Sequence, residues 1–258
     1  MIKTLPISNL IQYQKVNGSI YILGNGNAIK NCKESLNTPS LFEERLQYVH
    51  DMPIIEGYTR PINLLADEGK IYGYEMEYLH DYYDLKQLLS NPKLLSLDFE
   101  SKKLILLKLL KCLKNIHEFY ALGDINLSNI MVNQNNDAKF IDWENGSPHN
   151  PKYPLCCLYF VDTKLTNIQQ DIIKLFYIAI SLIYEYNFEN YAMGKAFGAS
   201  LMNLQNIPFD GATKEYITEI QHQYFIGSKK LDYFDEIIKG MKKPGIITRK
   251  KVIKTVKR

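Results

Sequence analysis

The sequence predicts an α+β fold, because strand-type and helix-type patterns occupy different parts of the chain. Most of the first 80 residues have the patterns of short strands, with one helix among them. From Asp84 onward the apolar residues recur at helical spacing. The two parts show no βαβ alternation, which would indicate a parallel sheet. A chain of 258 residues can form one large domain or two lobes around a cleft.

Turn signals divide the first part into strands and one helix. Ser40, followed three residues later by Glu43, forms a capping box, which predicts a helix that runs through Val49. Turn residues rich in Gly and Asn, at positions 17–18 and 24–26, separate the predicted strands. These strands are residues 20–23, a run that opens at residue 28, and residues 71–76.

The second part is predicted to be helical apart from one hairpin. Residues 130–132 and 139–141 are β-type runs, and the polar cluster 133–137 between them predicts a tight turn. The apolar stretch 172–184 is too short to span a bilayer and predicts a buried helix. The predicted helices are residues 85–89, 104–116 and 168–188, with others near 189–204, 212–224 and 230–240.

Composition predicts a cytoplasmic protein without a membrane span. The N-terminus lacks the apolar core of a signal peptide. The four cysteines, of which Cys156 and Cys157 are adjacent, have no C-x-x-C spacing, so neither a disulfide framework nor a zinc site is expected. The oligomeric state cannot be predicted from these features.

Positive charge is concentrated at the end of the chain. Residues 241–258 hold eight of the 31 Lys and Arg and no acidic residue, which leaves 23 basic against 28 acidic residues elsewhere. We interpret residues 242–258 as a basic, flexible, solvated tail, with contact to nucleic acid, membrane or a protein partner as the alternative. No nucleic-acid binding is expected of the body of the protein.

The residues that carry chemistry lie around the predicted hairpin. Asp124 is followed five residues later by Asn129, and Asp142 comes directly after the second strand. Such an arrangement would bring several oxygen ligands together, and Mg²⁺ prefers carboxylate and carbonyl oxygens. The alternative is that both aspartates merely cap turns.

This stretch resembles the catalytic loop and magnesium-binding loop of the protein kinases. It is equally similar to the aminoglycoside and choline phosphotransferases, which often carry Gly-Asp and Asp-Trp-Glu at these places. The resemblance implies a two-lobed fold, with a small strand-rich N-lobe at residues 1–79 and a larger helical C-lobe at 80–241. It implies ATP and Mg²⁺ as cofactors, Asp124 as the catalytic base, and Asn129 and Asp142 as magnesium ligands.

Other segments match the family pattern in the same order. By this resemblance Lys30 would bind the α- and β-phosphates, and Glu43 would pair with Lys30, with Glu44 as the alternative. Glu77 and Leu79 would bind adenine through their backbone, with Met76 behind it. Asp171 would brace the backbone of the catalytic loop, while His117 is interpreted as structural.

The sequence also departs from the family pattern. No G-x-G-x-x-G loop precedes Lys30, and only Gly18 and Ser19 remain to approach the phosphates. Gly123 stands where protein kinases often have an Arg that binds a phosphorylated activation segment, so phosphorylation of residues 143–170 is not expected to be required. Asn126 replaces a Lys of the Ser/Thr kinases, as in the small-molecule phosphotransferases.

Three functions are compatible with these residues. The first is a kinase that transfers the γ-phosphoryl group of ATP to Ser or Thr of a protein. The second is a small-molecule kinase resembling the aminoglycoside and choline phosphotransferases. The third is a pseudokinase that acts as a binding module. The acceptor, protein or metabolite, would present a hydroxyl group in the first two.

Overall fold

The computed structural model describes residues 1–17, 19–32, 39–143, 146–148, 165–189, 204–226 and 231–256. A strand-rich N-terminal part and a helical C-terminal part confirm the predicted α+β class. The N-terminal strands are β1 (Ile2–Thr4), β2 (Gln14–Asn17), β3 (Ile20–Ile22), β4 (Asn27–Asn31), β5 (Asn63–Asp67) and β6 (Lys70–Glu77). They form one sheet in the order β1-β5-β6-β4-β3-β2, in which β1 pairs in parallel with β5 and the other pairs are antiparallel.

A buried carboxylate joins four strands of this sheet. Glu75 on β6 is 4% exposed and accepts hydrogen bonds from Lys3 Nζ at 2.7 Å, Asn27 Nδ2 at 2.7 Å and Asn63 Nδ2 at 2.8 Å. Burial by itself raises the pKa of Glu75, but these three donors outweigh it and lower the pKa below its usual value. The ion pair between Lys3 and Glu75 therefore adds to the backbone pairing with β5 that holds the short parallel strand β1 in the sheet.

The helix α1 (Pro39–Asp51) lies between β4 and β5 in the chain. It begins one residue before the predicted cap Ser40 and ends two residues after Val49, so the predicted helix is confirmed with small shifts at both ends. Proline at the first helical position is favourable, because its missing N–H would have no partner there. Leu46 and Val49 on its inner side are fully buried against the core.

Short strands and helices make up the rest of the chain. The strands are β7 (Tyr83–Asp84), β8 (Tyr120–Ala121), β9 (Ile130–Val132), β10 (Ala138–Phe140) and β11 (Ser147–Pro148). A 3₁₀ turn, Leu127–Asn129, precedes β9. The helices are α2 (Leu85–Ser90), α3 (Phe99–Ile116), α4 (Asn167–Tyr184), α5 (Gly211–Ile226), α6 (Asp235–Gly240) and α7 (Ile246–Val256).

The predicted hairpin is present as β9 and β10. Asn133 Oδ1 accepts hydrogen bonds from the amides of Asn135 at 2.9 Å and Asp137 at 3.1 Å, and Asn136 takes a positive φ of 58°. Asn tolerates this conformation better than most residues. The turn between β9 and β10 is therefore stabilised by a side chain of the polar cluster itself.

The helix α4 is the centre of the C-terminal core. Almost every side chain from Gln169 to Tyr184 is buried, as the apolar stretch 172–184 predicts. It ends earlier than expected because Glu185 adopts a left-handed conformation, with φ 53°, and turns the chain back. In the described part of the chain, no helix combines the length and apolarity needed to cross a membrane.

The basic C-terminal segment differs from its prediction as a flexible tail. Residues 246–256 form α7, in which Val252 is fully buried and Arg249 pairs with Glu185 at the end of α4. A run of charged residues suggests a solvated segment. Apolar residues such as Val252 and Ile253 nevertheless give this helix an apolar side that can be buried. Most of the predicted helix near 189–204 lies outside the described residues.

Candidate active site

A cleft of about 880 Å³ opens between the N-terminal sheet and the β9–β10 hairpin. Side chains from β3, β4, β6, the segment after β6, α2 and the hairpin line it. The structure brings together six residues predicted for the site: Lys30, Met76, Glu77, Leu79, Asn129 and Asp142. Its volume lies in the range of small-molecule and cofactor sites.

An ion pair joins the two sides of this cleft. Lys30 on β4 places its Nζ 2.6 Å from Oδ1 of Asp142, which follows β10 and lies 112 positions later in the chain. The side chain of Lys30 is 14% exposed and that of Asp142 is 39% exposed, so the carboxylate faces the open cleft. A cation and an anion are thus held at the same point of the cleft wall.

The backbone of Asp142 is strained. Its φ is 59°, although it does not lie in a hairpin turn as Asn136 does. Both neighbours are held, because Ile141 N donates to the carbonyl of Asn129 at 3.0 Å and Tyr120 Oη donates to that of Trp143 at 3.0 Å. Strained non-glycine residues persist only where their surroundings hold them, and they concentrate at functional sites.

Asp124 lies beside the cleft and contacts it through Asn129. Asn129 Nδ2 donates to the Asp124 carbonyl at 2.9 Å and to Asp124 Oδ2 at 3.3 Å, while Asn126 Nδ2 donates to Oδ1 at 3.1 Å. Since the Asp124 carbonyl can only accept, it fixes which end of the Asn129 amide faces it. The Asn129 oxygen is therefore the end that remains to face the cleft.

The contact predicted between Asp171 and the backbone of the loop before Asp124 is present. Asp171 on α4 is fully buried, and its carboxylate accepts from the amides of Leu122 at 2.6 Å and Gly123 at 2.9 Å. His117 Nε2 lies 3.2 Å from the same carboxylate, and its Nδ1 lies 2.7 Å from Tyr233 Oη. His117 is thus part of the support of the loop, which agrees with its structural interpretation.

Glu43 does not make the contact that was predicted for it. Between these described residues the pair with Lys30 is not formed: Lys30 pairs with Asp142, and Glu43 Oε1 accepts from the amide of Ile71 at 3.1 Å. The β5–β6 ladder shifts register at Leu65/Ala66, and the Ile71 amide beside this irregularity takes a side-chain acceptor. Of the two residues predicted to approach the phosphates, Gly18 lies outside the described residues, whereas Ser19 lines the cleft.

The end of β6 and the segment after it line the cleft. Tyr78 N donates to the Gly26 carbonyl at 3.2 Å, whereas the amide of Asn27, which lies opposite Glu77, binds Asn25 Oδ1 instead. Hydrogen bonding alternates along an antiparallel pair, so the backbone groups of Glu77 point away from β4. The Glu77 side chain pairs with Lys139 at 2.5 Å.

Comparison of the chain with protein-family models and with curated proteins finds no match. Within the described residues, no group of three or more His, Cys, Asp and Glu could hold a metal ion by itself. Asp142 and Asn129 would bind magnesium only together with oxygens of a bound phosphate.

Glu189 is a site residue that the sequence does not indicate. Its Oε1 accepts from the amide of Leu127, in the loop that follows Asp124, at 2.7 Å. Burial raises the pKa of Glu189 to about 7; the Leu127 amide and Lys86 oppose this shift, and Asp124 adds to it. The sequence around Glu189 contains no motif that predicts this contact. The contact depends on the change of chain direction at Glu185, where α4 ends.

Glu189→Gln is expected to remove a pH dependence of stability. Between pH 4.5 and pH 7 the folded protein keeps a proton on Glu189 that the unfolded chain releases, so the free energy of unfolding falls as the pH rises. The fall is at most about 3 kcal/mol. Glutamine keeps the acceptor for Leu127 and has no charge to bury. Urea unfolding of wild type and variant at pH 5 and pH 8 measures the difference.

Glu56→Gln is the matched control, because the Glu56 side chain is 94% exposed. The control should retain the pH dependence of wild type. If Glu189→Gln retains it as well, Glu189 does not titrate in this interval.

Proposed function

We propose that this chain transfers the γ-phosphoryl group of ATP to a hydroxyl group in a magnesium-dependent reaction. The observation that carries the proposal is the 2.6 Å contact between Lys30 and Asp142 in a cleft that Asn129 also lines. Asp124 is hydrogen-bonded to Asn129. Phosphoryl transfer needs a cation for the phosphates, oxygen ligands for magnesium and a carboxylate to orient the attacking hydroxyl. Four residues from three segments of the chain would supply these groups together.

The donor set fits magnesium. A Mg²⁺ ion in phosphoryl-transfer enzymes takes one or two protein oxygen ligands and keeps water and phosphate oxygens for the rest of its shell. The carboxylate of Asp142 and the amide oxygen of Asn129 are the two residues that would hold it. When bound, it would neutralise charge on the phosphate oxygens.

The other parts of the cleft fit a nucleotide. Met76 would contact the adenine, and the backbone of Glu77 and Leu79 would bind its polar edge. Lys30, 14% exposed on the sheet, would contribute its charge to the phosphates. Asp124 would orient the acceptor hydroxyl and accept its proton.

The acceptor is proposed to be Ser or Thr of a protein, as in the Ser/Thr kinases that the loop resembles. A hydroxyl-bearing small molecule with an amine is the second candidate. It is favoured by Asp124 together with Glu189, whose carboxyl group becomes negatively charged above about pH 7. A cation would be attracted to that charge, whereas an anionic metabolite would be repelled.

Transfer from γ-labelled ATP tests the proposal. The protein is incubated alone, with generic protein acceptors, and with a metabolite panel that includes amine-bearing alcohols, each with and without a chelator of Mg²⁺. Label transfer that requires Mg²⁺ and disappears in Asp124→Asn is the expected result, because a contaminating kinase would not respond to the variant. Mg-ATP binding without transfer indicates a pseudokinase, and absence of Mg-ATP binding contradicts the proposal.

A further inference from the structure

A strained turn directly precedes Asp124. The amide of Asp124 donates to the carbonyl of Leu122 at 2.9 Å, across Gly123, whose φ is 77°. A hydrogen bond between residues i and i+2 across a positive φ marks the rarer and more strained form of γ-turn. Glycine is the residue that takes this conformation at the least cost. A strained turn keeps its geometry only if the surrounding structure holds it.

Two side chains of α4 hold this turn. Asp171 accepts from the amides of Leu122 and Gly123 at 2.6 Å and 2.9 Å. Lys174, one helical turn further along α4, donates from its Nζ to the carbonyl of Gly123. Residues three apart on a helix lie on the same face, so both polar groups of Gly123 are bound from one surface.

The ammonium group of Lys174 lies among buried side chains. The residue is 4% exposed, and its neighbours in α4, Ile173 and Leu175, are buried as well. Burying an ammonium group costs several kcal/mol, and an apolar residue of similar size would often pack at least as well. The carbonyl of Gly123 is one of the acceptors that this ammonium group contacts.

We propose that Lys174 is a positioning residue that fixes the peptide group between Gly123 and Asp124. The carbonyl of Gly123 and the amide of Asp124 belong to the same rigid plane, so holding the oxygen prevents this plane from rotating. Rotation would displace the Asp124 side chain that begins at the next Cα. The kinetic part of this inference rests on the proposed phosphoryl transfer.

The variants Lys174→Met and Lys174→Gln, with Lys102→Met as the control, test the role of Lys174 in turnover. Lys102 is also a buried lysine, 8% exposed, but it pairs with Glu185 at 2.7 Å, away from the loop. Lys174→Met is expected to lower kcat by about 10²-fold, as a small misplacement of a reacting group does. The KM for ATP is expected to stay within about threefold, because the turn lies outside the ATP cleft. Lys174→Gln, which keeps a donor, is expected to restore part of the loss.

Hydrogen exchange of the peptide that covers Gly123 and Asp124 tests the same role without any transfer reaction. Its amides are expected to exchange faster in Lys174→Met than in wild type, and to be unchanged in Lys102→Met. If wild type transfers no phosphate, the proposed function fails, and the exchange result still decides the role of Lys174.

Two outcomes would overturn the inference. The first is exchange and kcat in Lys174→Met equal to those of Lys102→Met. The second is that both Lys174 variants fail to fold, by circular dichroism, while Lys102→Met folds, because the ammonium would then be needed for the fold as a whole.

Discussion

Asp124→Asn is expected to lower the turnover of phosphoryl transfer by about 10²–10⁴-fold, the usual contribution of a positioned proton acceptor. The amide cannot accept the proton of the attacking hydroxyl. The loop should keep its shape, because the bond from Asn129 Nδ2 to the backbone carbonyl at position 124 does not involve the substituted group. The affinity for Mg-ATP should stay within about threefold of wild type, since Asp124 orients the acceptor rather than the nucleotide. Initial rates and calorimetric titration measure the two quantities separately.

Lys30→Met is the contrasting variant. Lys30 lines the cleft that is proposed to bind ATP, so its loss should weaken the positioning of the phosphates and raise the KM for ATP. A loss of ATP affinity confined to Asp124→Asn would show that the two roles have been assigned the wrong way round.

Asp142→Asn is expected to weaken binding of Mg-ATP and to lower turnover by at least about 10²-fold, because even residues that only support a metal ligand contribute 10–100-fold. The substitution removes the negative charge that would face Mg²⁺ while keeping nearly the same shape. Stability should change little, because the Asp142 side chain is 39% exposed. Titration of ATP in the presence and in the absence of Mg²⁺ measures the effect, which should be confined to the metal-containing titration.

Asp137→Asn is the matched control for this substitution. Asp137 lies at the turn of the same hairpin and pairs with Lys108 at 2.9 Å, outside the cleft. It should bind Mg-ATP as wild type does. Unchanged affinity and turnover in Asp142→Asn as well would remove Asp142 from the site.

The elements predicted best are those whose cause is local. The β9–β10 hairpin depends on turn chemistry at Asn133 and Asn136, which the sequence displays directly. The buried helix α4 depends on an apolar run long enough to be a core helix and too short to be a membrane span. Helix ends were predicted less well, since Glu185 ends α4 through a backbone conformation that no residue type requires.

The site residues were predicted through a resemblance, and the structure brings most of them together. Lys30 and Asp142 meet although 112 positions separate them, and Asp171 reaches the loop nearly 50 positions earlier in the chain. Glu43 shows the limit of this approach. A motif predicts which residue types are present, but the register of β5 and β6 determines which acceptor the Ile71 amide takes.

By itself the sequence determined the α+β class and the hairpin that lies between the candidate magnesium ligands. Each depends on spacing within a few residues, where turn chemistry and side-chain periodicity act. Only the tertiary structure decided that Glu189 and Lys174 hold the loop and that the basic C-terminal segment packs as α7. These depend on which surfaces meet after folding, because a buried charge or a docked helix is stabilised by partners far away in the chain.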